Sequence, residues 1–161
     1  MDITCGQRRE SPEIEAVILR NLLLATKAEL IVALCGSFSG DGSCGPLCRE
    51  AHSLVQLHRR RRSQPLSCSE IDGRRAEIVA CIDEWVTRAA PCRNGSARLH
   101  PESVGMLIDR MAAAAARVLD ALERDGPAGT ETHAAWVRLA ELEIQYGDLV
   151  AEVTDGRRRL V

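Results

Sequence analysis

Aromatic side chains are almost absent from this 161-residue chain, which has Phe38, Trp85, Trp136 and Tyr146 and no others. Sandwiches and barrels draw on aromatic and β-branched residues for their strands, so a core here must be built from Ala, Leu, Val and Ile, which favours close-packed helices. Lysine is scarcer still: Lys27 stands alone and arginine supplies the rest of the basic charge, a usage that points to a GC-rich bacterial genome. Charge of one sign is lacking as well. With 21 basic and 23 acidic residues the net charge is −2, too small for a global field that would recruit nucleic acid or an anionic membrane. Long apolar runs are missing: Glu13, Glu15, Arg20, Lys27 and Glu29 interrupt the first segment, which argues against a cleavable signal. No stretch reaches the roughly 18 uncharged residues that a membrane span needs. Seven cysteines (Cys5, Cys35, Cys44, Cys48, Cys68, Cys81, Cys92) are an odd number without a secretory signal, so free thiols in a reduced cytosol are expected rather than a disulfide framework.

What is present is helical periodicity. Ser11-Pro12-Glu13 is a helix start and Gly36 a stop, giving a first helix over about residues 12–35 that is apolar on more than one face, as a central or dimeric helix is. Residues 36–45 read as a flexible glycine-rich loop. A second helix over 46–61 spaces Leu47, Ala51, Leu54, Val55 and His58 on one side. A third, from the capping box Ser67-x-x-Glu70 to about residue 88, buries Ile71, Ile78, Ile82 and Trp85. After a connector over 91–100, Pro101-Glu102 opens a fourth helix along Val104, Leu107, Ile108, Met111, Ala115, Val118, Leu119 and Leu122, stopped by Gly126-Pro127. A fifth runs from Thr130 or Thr132 to about Thr154 and repeats Ala135, Leu139, Leu142, Tyr146, Leu149 and Val153. Short connections and stripe widths predict an all-α, single-domain antiparallel bundle of four to five helices, with residues 1–10 and 157–161 as flexible tails.

On the third helix, 100° per residue places Asp72 and Asp83 nearly on one line with Arg75 between them, at the edge of the apolar stripe. An arginine drawn toward a helix interface must be paired, by Asp72 or by a carboxylate from a neighbouring helix. The arrangement suits an ion pair that fixes helix register; it also suits a catalytic acid or an anion site. His58, on the apolar stripe of the second helix, reads as a satisfied core residue. With Asp72 or Asp83 as an orienting partner it would make a His/Asp arrangement able to transfer protons.

The pattern Asp72-x-x-Arg75-x-Glu77-Ile78-x-x-x-Ile82-Asp83, preceded by Leu57-His58 and followed by Leu107-Ile108-Asp109-Arg110, resembles the small helical bacterial proteins of domain-of-unknown-function family 4254. The resemblance covers about residues 47–111, and Asp72 stands where Asn is more usual. It implies an all-helical fold and a place for His58 in the family pattern, and it leaves the activity open.

Three further groups have spacing that could carry chemistry. Cys44, Cys48 and His52 fall at i, i+4 and i+8, soft ligands along one helical side, but no fourth ligand is evident and the spacing matches no structural zinc site. Asp120-x-x-Glu123 and Glu152-x-x-Asp155 look like the paired acids with which all-helical nucleotide pyrophosphohydrolases hold magnesium, although both pairs sit at helix ends where acids are also common on solvated surface. Arg59, Arg60, Arg61 and Arg62 close the second helix, where they suit the negative end of its dipole and could bind phosphate, and Arg157, Arg158 and Arg159 follow the fifth. No aromatics interleave them to stack bases, so nucleic acid is disfavoured. No motif asks for a cofactor. The expectation is a cytosolic helical-bundle protein acting through protein contacts as a homodimer. The alternatives are a small magnesium-dependent enzyme on a phosphorylated substrate or nucleotide, and a binder of anionic polymer through the four arginines.

Overall fold

The protein is seen here as a computed structural model that describes residues 27–36, 45–89, 98–99, 101–154 and 157–159. Among the described residues five α-helices carry the fold: α1 (Lys27–Cys35), α2 (Pro46–Ser63), α3 (Cys68–Ala89), α4 (Val104–Asp125) and α5 (Thr130–Thr154), with a short 3-10 turn at Pro65–Ser67 between α2 and α3. The all-α bundle expected from the pattern is therefore present. Residues 12–26 of the expected first helix, the glycine-rich stretch 37–44 and most of the connector before α4 lie outside the described residues.

From α2 onward, successive helices alternate in direction. The Ala33 carbonyl meets His52, setting α1 against α2; Arg75 meets Asp109 while Asp83 meets Gly105, so α3 and α4 run antiparallel; His58 meets Asp109 and Arg62 meets Asp120, so α2 and α4 share a direction. A turn of four residues then folds α5 back on α4. Gly126 makes that turn at φ 73°, donating its N–H to the Leu122 carbonyl at 3.0 Å, and the fully buried Thr132 donates its hydroxyl to the Gly126 carbonyl at 2.8 Å. Positive φ is cheap for glycine alone, which is why the sequence places the stop there.

The centre of the bundle is α4, packed on α1, α2, α3 and α5. Leu107, Ile108 and Met111 are sealed, and Ala112, Ala114, Ala115 and Ala116 are buried around them. Each large apolar side chain there contributes about 1.5–3 kcal/mol relative to an exposed one, and the alanines let neighbouring backbones come close. Leu54, Val55, Ile78, Ile82, Leu139, Leu142 and Tyr146 complete the core. Val86 is buried where the sequence suggested Trp85, which is partly exposed.

Boundaries shift slightly from expectation. Ser103 caps α4, its hydroxyl accepting from the Met106 N–H at 3.2 Å, so Pro101 and Glu102 precede the helix instead of opening it. The expected C-terminal tail is also partly placed: Arg158 and Arg159 pair in parallel with Arg98 and Leu99 as a two-residue bridge, β1 (Arg98–Leu99) to β2 (Arg158–Arg159).

Candidate functional site

Where α2, α3 and α4 meet, five charged or polar side chains form one chain of contacts. His58 Nε2 lies 2.8 Å from Asp109 Oδ1. Arg75 grips the same carboxylate with two bonds, Nε to Oδ1 at 3.1 Å and Nη2 to Oδ2 at 2.6 Å, and donates from Nη1 to Asp72 Oδ1 at 2.8 Å. Arg61 in turn holds Asp72 with two bonds, at 2.8 and 3.0 Å. The chain runs from interior to surface: the His58 side chain is 12% exposed, Asp109 17%, Arg75 22% and Arg61 46%. Two guanidiniums face two carboxylates, so the arginines and acids sum to zero charge.

Helix geometry explains this convergence. Arg75 lies three residues after Asp72, one turn along the same edge of α3, and Asp109 projects from α4 between Ile108 and Met111, beside the buried stripe. Burial pushes the Asp109 carboxyl up, but the hydrogen bonds and charges of His58 and Arg75 together outweigh it and hold that carboxyl below the usual range. Asp72 is also held low, by Arg61 above all, with Arg75 adding to it and burial opposing.

The partner expected for His58 was Asp72 or Asp83, and it is neither. Asp72 is occupied by Arg61 and Arg75, one turn from the start of α3. Asp83 stands about three turns further on and accepts from the Gly105 N–H at 2.7 Å, capping the first turn of α4 from outside it. Asp72, Arg75 and Asp83 share an edge without sharing a site. The arginine pairing expected for Arg75 is present from both proposed sources, Asp72 and a neighbouring helix.

Since the Asp109 carboxylate oxygen can only accept, Nε2 of His58 donates to it, and in the neutral ring Nδ1 is then the accepting atom. Nδ1 makes no hydrogen bond among the described residues, where no buried polar side-chain atom lacks a partner, so it reaches solvent. This is the geometry of a proton acceptor with a fixed tautomer. Asp109 was legible only as a member of the family-like pattern. The signal that could have marked it is positional: it is the first acid of α4 and interrupts a run of core residues.

The arginine cluster is engaged by acids. Arg59 donates to Asp120 at 3.0 Å and to Glu123 at 2.6 Å, and Arg62 meets Asp120 at 2.8 Å, while Arg61 holds Asp72. Both acids of the first magnesium-like pair are thus engaged by Arg59 and Arg62 across α2 and α4, and Arg61, the third of the four arginines considered for phosphate, is engaged by Asp72 of α3. Glu152 lies near the other end of α5, about 33 Å along the helix from Thr130 at 1.5 Å per residue, whereas Asp120 and Glu123 stand beside the α4–α5 turn. Glu152 therefore does not face Asp120 and Glu123 across the hairpin as the magnesium motif requires; Asp155 lies outside the described residues.

Cys48 is fully buried and contributes to the core. His52 Nδ1 donates to the Ala33 carbonyl at 3.0 Å, and Gln56 Nε2 lies 3.3 Å from His52 Nε2, so this imidazole ties α1 to α2 with both ring nitrogens engaged. Cys44 lies outside the described residues. Among the described residues no group of three or more His, Cys, Asp or Glu side chains is placed to hold a metal ion. Cys35, Cys48, Cys68 and Cys81 are free thiols. No described helix is long and apolar enough to cross a membrane.

No curated protein and no solved structure matches the chain. A family model matches residues 66–161. That segment takes in Asp72, Arg75, Asp83 and Asp109, runs to the C-terminus well past the end of the resemblance seen in the sequence, and begins after His58. Covering more than half of the chain, the match shows that this protein belongs to the family described as "Protein of unknown function (DUF4254)".

Proposed function

We propose that this protein acts through protein contacts, as a homodimeric helical module of a reducing cytosolic compartment. The observation that carries this reading is an exposed apolar face on α5. Leu139, Leu142, Tyr146 and Leu149 of that helix enter the core, yet Trp136, Val137 and Ile144 stand exposed on its other side. Clustered apolar groups on an outer face mark interaction sites more often than scattered ones do. The charged groups support the same reading, because Asp120 and Glu123 are engaged by Arg59 and Arg62, and Arg61 by Asp72. Anionic-polymer binding through Arg59, Arg60, Arg61 and Arg62 loses support for that reason.

A second reading, a small enzyme, keeps one observation in its favour: His58, oriented by Asp109, presents Nδ1 as a proton acceptor. The two readings separate in one experiment on the full chain. Thermal shift is measured with magnesium, nucleotides and sugar phosphates, alongside sedimentation velocity from low to high micromolar protein. Self-association without any ligand-induced rise in Tm is the expected result. A monomer whose Tm rises with one ligand, lost in His58→Ala, would replace the first reading with the second.

A further inference from the structure

The imidazole of His58 has one nitrogen held and one left over. Nε2 donates to Asp109 Oδ1 at 2.8 Å, and Arg75 grips that carboxylate with two bonds, so the ring cannot turn or change tautomer without giving up contacts that join three helices. Nδ1 keeps its lone pair, makes no hydrogen bond among the described residues, and reaches solvent. His52, in contrast, has both ring nitrogens engaged. A nitrogen oriented by a carboxylate behind it is an activated nucleophile as well as a proton acceptor. A metal ion would need further ligands, and among the described residues no group of three His, Cys, Asp or Glu side chains is placed to supply them.

The charges around the ring select the electrophile. Arg61 and Arg62 lie three and four residues after His58, one turn along the same side of α2. Their side chains are 46% and 42% exposed. Arg62 meets Asp120 through Nη2 at 2.8 Å, one contact from a group with five donors. Asp72, Asp109, Asp120 and Glu123 are each paired with an arginine, so an incoming dianion meets guanidiniums with donors to spare and no unpaired carboxylate. That suits the oxygens of a phosphoryl group, which arginine recognises through its fork of N–H groups.

We propose that His58 Nδ1 is a phosphoryl-accepting site, modified by a small phosphodonor of the acyl-phosphate class. Nδ1 attacks phosphorus; the N–P bond forms as the P–O bond to the acyl group breaks, and the acyl group leaves as a carboxylate. The Nε2 proton stays on the ring, where Asp109 balances the positive charge that bond formation creates, and no oxidant or reductant takes part. Asp109 is the positioning residue of this site. The proposal stands on the contacts of His58 and is independent of the self-association reading.

The test treats the full chain with acetyl phosphate at neutral pH, folded and urea-unfolded in parallel, and maps the label by peptide mass spectrometry and phosphorus NMR. The expected label is acid-labile, sits on Nδ1 of His58, and forms more than about tenfold faster in the folded chain than in the unfolded one, because the fold supplies the orientation. His52, His100 and His133 serve as internal controls. His58→Gln, whose amide can still donate to Asp109, is expected to keep the helical circular dichroism spectrum and to lose the label. The wild-type map decides the matter by itself if that variant does not fold. No label on His58, a rate no faster than in urea, equal labelling of the other histidines, or a label on Nε2 would each overturn the proposal.

Discussion

His58 and Asp109, 51 residues apart in the chain, are joined at 2.8 Å across the α2–α4 interface, and the carboxylate that receives the imidazole is the one Arg75 grips with two bonds. Asp109 is therefore the junction at which three helices are fixed relative to one another. Losing it leaves His58 without this carboxylate and Arg75 with Asp72 alone, both side chains mostly buried.

From this junction follows a set of substitutions. Asp109→Ala is expected to cost about 3–5 kcal/mol, the range for breaking a buried pair by removing one partner, and Arg75→Met somewhat less, because His58 still serves the carboxylate. Arg75→Met combined with Asp109→Leu should recover much of the loss, since the pair is then replaced by apolar volume. The outer cluster is the control: Arg62→Ala, at a more exposed pair with Asp120, should cost no more than about 1 kcal/mol. Urea denaturation of the five proteins checks this, and equal effects of Arg75→Met and Arg62→Ala would show that burial does not distinguish the two clusters.

Acid stability depends on the same carboxylates. Asp109 and Asp72 titrate below their ordinary range in the folded chain, while in the unfolded chain each returns to about 3.9. The unfolded state thus binds protons first as pH falls. The stabilisation is complete above the unfolded value and is lost progressively below it, as pH drops toward the folded-state values. Asp109→Asn should be less stable at neutral pH and lose less stability on acidification than wild type. Parallel stability–pH curves for the two proteins would dissociate Asp109 from acid unfolding.

Gly105 marks a close approach of α4 to α3. A Cβ at that position would lie 2.5 Å from the Val79 backbone oxygen and 2.9 Å from Asp83 Oδ1, and backbone cannot move aside cheaply. Gly105→Ala gains up to about 1 kcal/mol of helix propensity, yet overpacking of this kind costs about 1–3 kcal/mol or more, so net destabilisation is expected. Asp83→Ala, which removes only the cap on the Gly105 N–H, should cost about 0.5–2 kcal/mol. A Gly105→Ala protein more stable than wild type would mean that α4 sits further from α3 than described here.

His52 supplies a prediction about the cysteines. With its ring nitrogens engaged by Ala33 and Gln56 and with Cys48 sealed in the core, purified protein should bind no stoichiometric zinc, and His52→Ala should lower Tm by loosening α1 from α2. Elemental analysis and calorimetry check the two halves. Stoichiometric zinc that disappears in Cys48→Ser would make this a metal site.

Periodicity and punctuation in the sequence determined the secondary structure and the bundle: the apolar stripe of α4, the Gly126 stop and the Ser103 region all act within a few residues, where helix geometry alone decides which side chains share a face. The same local reasoning placed Asp72 beside Arg75, one turn apart. It could not join His58 to Asp109, or Arg59 to Asp120 and Glu123, because those partners come from other helices, and the rotation and offset of one helix on another are set by how whole side-chain surfaces interlock. Asp72 and Asp83 mark that boundary. Their spacing on one helix edge was correct in the sequence, yet only tertiary packing gave Asp72 to Arg61 and Arg75 and Asp83 to the N-terminus of α4.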